Sequence, residues 1–345
     1  MVGARLWFRG GPEMRTGKFG ALTSIAATVV LAAGCASQVG STSVSAFNQP
    51  ELPNIVVAAL PAADLAGLYI AQDEGLFAQQ GLHVTLEKIA SNQAAVAAQL
   101  KGRVDVSAQS YVSYIAAQSA GARFRILAEA STLRPGTRVL VAPATSHITA
   151  MASLAGQKIG VNGTNNIGTL LVSALLEENG ISPAKVDFIT DAKGYTDMPS
   201  QLQRGSWGAA LLAEPYATIA GEEYGDQEVA DTDQGATENF PMDGYVATQT
   251  WAEKYPKTAA AFVRAIQEGQ VIADTRPLAV QTAIAKYDGL SSTVTAVMAL
   301  PGFPTGPVQV QSIQRVANVM LQFGALSRQY STEVESGTLV RSMIG

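Results

Sequence analysis

The stretch "QLKGRVDVSAQS" (residues 99–110) closes a helix, stops it and starts a strand. Leu100 ends a run of helical spacing, Gly102 supplies the stop, and "RVDVSAQ" alternates as a half-buried strand does. The same order returns in "QLQRGSWGAALLAEP" (residues 201–215): Gln-Leu, a glycine stop, then a strand that begins on an apolar residue. Two copies of one helix–stop–strand step predict two similar α/β units. A pair of such units leaves a cleft between them, and ligands bind beyond the carboxyl ends of their strands.

The pattern extends outward from both copies. "NIVVAAL" (54–60) is a short apolar run suited to a buried parallel strand, and "HVTLEKI" (83–89) a second strand. Between them "DLAGLYIAQDEGLFAQQG" (64–81) reads as one helix stopped by Gly81. Ser91 and Asn92 are suitable caps for "QAAVAAQLKG", and "SYVSYIAAQSAG" is a helix followed by strands in "RFRILAEA" and "RVLVAP". The alternation restarts near Ala155 with strand "QKIGV", loop "NGTNN" (162–166) and helix "IGTLLVSALLEENG". "VDFIT", "MPSQLQRG", "WGAALLA" and "EPYATIAGEEYG" continue it as strand, helix, strand, helix; beyond about Gly244 the chain reads as mainly helical. This βαβα order predicts an α/β class with a mostly parallel sheet.

Composition narrows the function. The 345 residues are 47% hydrophobic and 15% charged, with a formal net charge of −5, so the surface does not favour nucleic acid. A single cysteine, Cys35, forms no intrachain disulfide. The two histidines, His83 and His147, lie in no metal-ligand pattern, which argues against a zinc or iron enzyme; no cofactor is expected.

The N-terminus reads as a targeting segment. Arg15 and Lys18 precede the uncharged "FGALTSIAATVVLAAG" (19–34), too short to span a bilayer and ending in small residues, as signal peptides do. "LAAGC" resembles the lipobox of bacterial lipoproteins, which implies that Cys35 is acylated and becomes the first mature residue. The usual Leu, Val or Ile three residues before the cysteine is Ala32 here. An ordinary signal peptide with an incidental cysteine is the alternative. "ASQVGSTSVSAFNQPELP" (36–53) reads as a flexible tether. Met14 opens a complete n-region of its own and is a candidate start.

"LYIAQDEGLFAQQGLHVTL" (68–86) resembles the opening segment of ABC-importer solute-binding proteins of the nitrate/sulfonate/taurine and thiamine-pyrimidine-precursor type. The shared pattern falls on Ala71, Gly75, Phe77, Gly81, Leu82 and Val84. "QLKGRVDV", "SLAGQKIGV" (153–161) and "AEPYA" (213–217) match later steps of the same family, and the resemblance covers residues 54–262. Gly208 departs from it, standing where the echo often carries Asp. The resemblance implies a type II periplasmic-binding-protein-like bilobal clamp, with lobe one at 51–138 plus 246–345 and lobe two at 139–245. It also implies a monomer, held to the outer membrane face by lipid, that captures a small solute by hinge closure without catalysis. The solute would be a sulfonate-, nitrate- or taurine-like anion or a small heteroaromatic, passed to permease and ATPase subunits. An enzyme of pyrimidine or menaquinone precursor synthesis, or a solute-sensing receptor module, would use the same scaffold.

Loops after strands supply the candidate ligand contacts: Asp64, Ser91, Asn92, Gln109, Ser110, Tyr111, Thr132, Gly163, Thr164, Asn165, Glu214 and Tyr216. Two helix starts, at Ser91/Asn92 and at Gly163–Asn165, present N–H groups and a favourable dipole to an anion or polar oxygen. Plain capping is the alternative there. Tyr111 and Tyr216 are placed to stack on a ring, or else fill the core. Asp64 and Glu214 facing the cleft would repel an oxyanion and welcome an amine or ring N–H, whereas Arg134 would reverse this unless the "PGTR" turn carries it outward. Tyr69, Trp207 and Trp251 read as packing residues, and Asp243, near the second crossover, as a hinge candidate.

Overall fold

The computed structural model describes residues 49–190 and 193–344. The lipobox around Cys35, the Met14 start and most of the tether lie outside the described residues. The far end of the tether is tied down: Glu51 accepts hydrogen bonds from the Lys257 and Thr258 amides, and the Leu52 amide donates to Thr258 Oγ1.

The first unit begins with β1 (Asn54–Ala59), α1 (Ala66–Asp73), α2 (Leu76–Gln79) and β2 (His83–Lys88). The single helix expected over 64–81 is broken because Gly75 adopts φ +67°, a turn that α-helix cannot continue through. There follow α3 (Asn92–Leu100), β3 (Val106–Ser110), α4 (Tyr111–Ser119) and β4 (Phe124–Thr132). The second unit runs through β5 (Arg138–Ala142), β6 (Lys158–Val161), α5 (Ile167–Glu178), β7 (Asp187–Thr190), α6 (Met198–Gln203), β8 (Ala209–Ala213), α7 (Tyr216–Tyr224) and β9 (Gln227–Asp231). The chain then returns to the first sheet through β10 (Pro241–Thr248). It ends in α8 (Gln249–Lys254), α9 (Pro256–Thr275), α10 (Pro277–Asp288), α11 (Ser292–Val297), α12 (Val310–Gln322), α13 (Ser331–Glu335) and α14 (Thr338–Ile344).

Two five-stranded sheets result, ordered β2-β1-β3-β10-β4 and β7-β6-β8-β5-β9. The repeated step of the sequence is repeated in space: β3 and β8 occupy the centre of their sheets, each delivered by the preceding α3 or α6. The sheets are mixed, not mostly parallel. β1 and β6 pair parallel with both neighbours, while β10 and β5 run antiparallel to both of theirs. A strand that has just crossed from the other lobe enters from the opposite end, so it has to run antiparallel. β10 also corrects the mainly helical reading of the tail, since it continues to Thr248. The crossovers occupy residues 133–137 and 232–240, so Arg138 opens the second sheet and residues 241–245 belong to the first.

Leu65, Leu68, Phe77, Phe262 and Ile266 cover the first sheet from the α1/α9 side, while a second core is shared by both lobes and joins Tyr114, Phe124 and Val246 of the first to Ile159, Leu171 and Leu211 of the second. Trp207 packs over Gly160, and Trp251 donates its indole N–H to Asp105, so both tryptophans are structural. Tyr69 stacks on Tyr287 and donates to the Leu60 carbonyl. Gly208 faces Gln157 and Ile148. Among the described residues no helix is long and apolar enough to cross a membrane.

Candidate functional site

The facing ends of the two sheets meet along a seam with two distinct parts. The inner part is an ionic knot. Asp64 sits in the single turn after β1, Asp243 near the start of β10, and Ser131 at the end of β4, all in the first lobe. A register shift at Asp243, opposite Ser110 and Ser131, re-aims its side chain as β-bulges do. Arg138, the first residue of β5, and Tyr195, from the loop after β7, approach from the second lobe. Arg138 Nη2 lies 2.9 Å from Asp64 Oδ2 and 3.5 Å from Asp243 Oδ2, and Nη1 donates to the Tyr195 hydroxyl at 2.5 Å. Ser131 Oγ donates to Asp64 Oδ1 at 2.8 Å and reaches Asp243 Oδ2 at 3.3 Å. All five side chains are buried.

Electrostatics follow from that geometry. Burial, then the nearby Asp64 charge, pushes the Asp243 carboxyl up to about 7, with Arg138 and Ser131 opposing. Burial works against a charged Arg138, but Asp64, Tyr195 and Asp243 outweigh it and raise its pKa. Burial likewise raises the Tyr195 phenol despite Arg138. The open space left beside the knot is only about 10 Å³.

The outer part is a cavity of about 640 Å³. Its floor and one side come from the first lobe: Ser91 and Gln93 at the start of α3, then Val96, Ala97 and Leu100 along it, with Ser113, Ala116 and Ala117 from α4. The other side is the loop Asn162, Gly163, Thr164 and Asn165 with Thr190. The Gln93 amide donates across to the Thr164 carbonyl. Asn162 borders both parts of the seam.

The structure brings together some of the residues expected from sequence and separates others. Ser91, Gly163, Thr164 and Asn165 line the outer cavity, and Asp64 and Asn92 the inner gap. Ser91 Oγ caps α3 by accepting from the Ala94 amide, and Ser110 Oγ caps α4 by accepting from the Val112 amide. Asn92 Oδ1 accepts from the Ser110 amide at 3.2 Å. The α5 start is closed by Asn166, which accepts from the Gly168 and Thr169 amides in a reciprocal capping box. Gln109 and Tyr111 are fully buried, and neither the Gln109 amide atoms nor the Tyr111 hydroxyl has a protein partner.

Six expected residues are in neither lining: the buried Gln109, Ser110 and Tyr111, and Thr132, Glu214 and Tyr216. Thr132 pairs its backbone with Gly302 at the edge of the first sheet. Glu214 turns back on its own helix, accepting from the Thr218 amide and hydroxyl and from the Ala299 amide. Burial raises its pKa, against those donors. Its carbonyl accepts from the Ala63 amide, so Glu214 fastens the lobes together. Tyr216 is buried and stacks on Tyr195 at 6.1 Å. The exposed Arg134 turns outward to Asn239; the cation that reaches the cleft is Arg138, at the end of the same "PGTR" turn. Sequence reasoning also missed Tyr195, Gln93 and Ser113. The sequence carries no local signal for Arg138, since its acid partner Asp64 lies 74 residues away.

Comparison with known proteins agrees with this architecture. The alkanesulfonate-binding protein SsuA from Xanthomonas axonopodis pv. citri, bound to MOPS, superposes with a TM-score of 0.67 at 14% identity, covering 80% of this chain and 95% of its own. The periplasmic nitrate-binding protein NrtA from Synechocystis PCC 6803 gives 0.70 at 16%, covering 86% and 89%. The desulfurization enzyme DSZB gives 0.62 at 16%, covering 84% and 98%. No curated protein sequence matches. The fold is therefore the bilobal periplasmic-binding-protein fold. The profile described as NMT1/THI5 like matches residues 62–279, most of the chain and both sides of the seam, and the chain belongs to the NMT1/THI5-like family.

Proposed function

We propose that this protein is a solute-binding component of an ABC importer, which traps a small molecule between its lobes and delivers it unchanged to permease and ATPase subunits. The observation that carries this reading is the interlobe cavity of about 640 Å³, bordered by the buried Ser113 and Asn162, whose Oγ and Nδ2 have no protein partner. Buried polar groups are normally satisfied, so orphans on a cavity wall call for a bound molecule. The two crossovers are short enough to act as hinges, and the chain captures solute as a monomer. Acylation of Cys35 holds it at the outer face of the cell membrane.

The kinship of fold with a desulfurization enzyme makes catalysis the reading to test against. His83 and His147 are both exposed and line neither part of the seam, so no imidazole stands beside a cleft hydroxyl. A ligand that binds the folded state raises Tm by mass action. The decisive experiment is a thermal-shift screen of sulfonates, nitrate, pyrimidines, flavins and aromatic acids, with recovery of each hit from the protein. A Tm rise with the compound recovered intact supports capture; conversion of the compound defeats it, as does a silent screen. Cys35→Ala should release the protein from membranes, and retention of the variant refutes the anchor.

A further inference from the structure

Resting on that reading, we infer that the solute is an uncharged molecule with an apolar body and a hydrogen-bond-accepting edge, and that this cleft rejects sulfonate- and nitrate-like oxyanions. Three separate features of the seam lead there.

First, the described lining of the outer cavity carries no charge. None of its described lining residues is acidic or basic, and five of them, Val96, Ala97, Leu100, Ala116 and Ala117, form one continuous apolar wall on α3 and α4. Leu100, 53% exposed, extends this apolar wall to the cavity rim. Stripping water from an oxyanion is costly without a cation or several N–H donors to replace it. An apolar ligand body covering this wall is instead favoured by its burial.

Second, the helix starts have used part of their donors on their own caps: Ser91 accepts from the Ala94 amide at α3, and Asn166 from the Gly168 and Thr169 amides at α5, so each terminus offers an anion less than an uncapped one. Third, the cation of the seam is taken. Arg138 is neutralised by Asp64, with Asp243 as a second carboxyl behind it, and about 10 Å³ of space remains beside them. An oxyanion reaching Arg138 would have to displace Asp64 and then face Asp243.

What remains open is neutral. Asn162 Oδ1 is engaged by the Asn166 amide at 2.8 Å, which leaves Nδ2 as a free donor on a residue only 2% exposed. Ser113 Oγ, also buried and unpartnered, provides a second donor or acceptor. A carbonyl or ring nitrogen on a flat, uncharged body lying on the α3/α4 wall meets these two groups once their side chains turn towards the cavity. The volume suits a molecule of drug-like size or smaller.

The test compares two matched sets by thermal shift and calorimetry. One contains nicotinamide, caffeine, benzamide and flavin; the other contains nitrate, sulfate, ethanesulfonate and taurine. Binding confined to the uncharged set, and insensitive to salt, is the expected result. Ser113→Ala and Asn162→Asp should each weaken it by roughly tenfold, the second because it keeps the acceptor for Asn166 but loses the donor. Ala117→Phe, on the half-exposed wall, should abolish binding without disturbing the fold, which guards against an Asn162 variant that fails to fold. Binding of nitrate or ethanesulfonate overturns the inference while leaving solute capture intact. Silence of both sets overturns the inference and the capture reading together.

Discussion

Asp243 is the residue whose protonation is most tightly coupled to the closed seam. Its carboxyl is pushed up to about 7 by burial and by Asp64. A carboxyl whose pKa is higher folded than unfolded stabilises the fold in its protonated form. That contribution is complete below the unfolded value of about 4 and is lost as pH rises towards 7. Asp288, pushed up to about 6 by burial, acts in the same direction. Melting temperature should therefore decline between pH 4 and pH 7, and Asp243→Asn should flatten the decline. A wild-type Tm that climbs across this interval would contradict the assignment. Arg138 answers a different measurement. Arg138→Gln leaves Asp64 beside Asp243 with no cation in a buried site, a loss of about 3–5 kcal/mol. Chemical denaturation at neutral pH measures it, and a change below about 1 kcal/mol would mean that the knot contributes little.

Among the elements, the loop that carries Tyr195 depends on one close approach. Gly194 has φ +67°, and a Cβ built on it would lie 2.3 Å from the carbonyl oxygen of Ala90 in the opposite lobe. Gly194→Ala therefore meets both a left-handed backbone penalty of about 1 kcal/mol and a clash with rigid backbone. The expected outcome is a lower Tm and a larger radius of gyration by solution scattering, because opening the seam relieves the clash. A variant as compact as the parent would refute it. This dependence could not be read from the sequence, where "KGYT" looks like an ordinary turn. The strands that could be read are those, such as β1 and β8, whose apolar runs end at turn residues. β9 could not, because "QEVAD" is a half-exposed edge strand with little alternation. β10 opens on proline and contains Gly244, both of which weaken a strand reading. The candidate loops were legible because topology puts loops at the carboxyl ends of strands beside the cleft. Arg138 was not, because its partner Asp64 is 74 residues away and only the closed lobes bring them together.

At the scale of the whole molecule, the two sheets are joined by residues 133–137 and 232–240, by one apolar core to which both lobes contribute, and by polar contacts across the seam. The polar contacts include Arg138 with Asp64 and Asp243, the Ala63 amide with the Glu214 carbonyl, the Ala299 amide with the Glu214 carboxylate, and Gln93 with Thr164. The protein thus closes on its own side chains, with the knot in the inner cleft where two lobes would otherwise need a ligand to hold them. If opening parts these contacts and leaves both sheets intact, closure and folding are separable. The pair of substitutions Asp64→Asn and Asp243→Asn tests this directly. It strands the Arg138 guanidinium among neutral groups in a dry seam, and the cheapest relief is to expose it to water by parting the lobes. Solution scattering should then show a larger radius of gyration and far-UV circular dichroism an unchanged secondary structure. If the spectrum collapses together with compactness, the lobes are not independent and the knot belongs to the folding core. If neither changes, the lobes are held by the shared apolar core and the Glu214 contacts, of which Glu214→Ala removes only the carboxylate bond from the Ala299 amide.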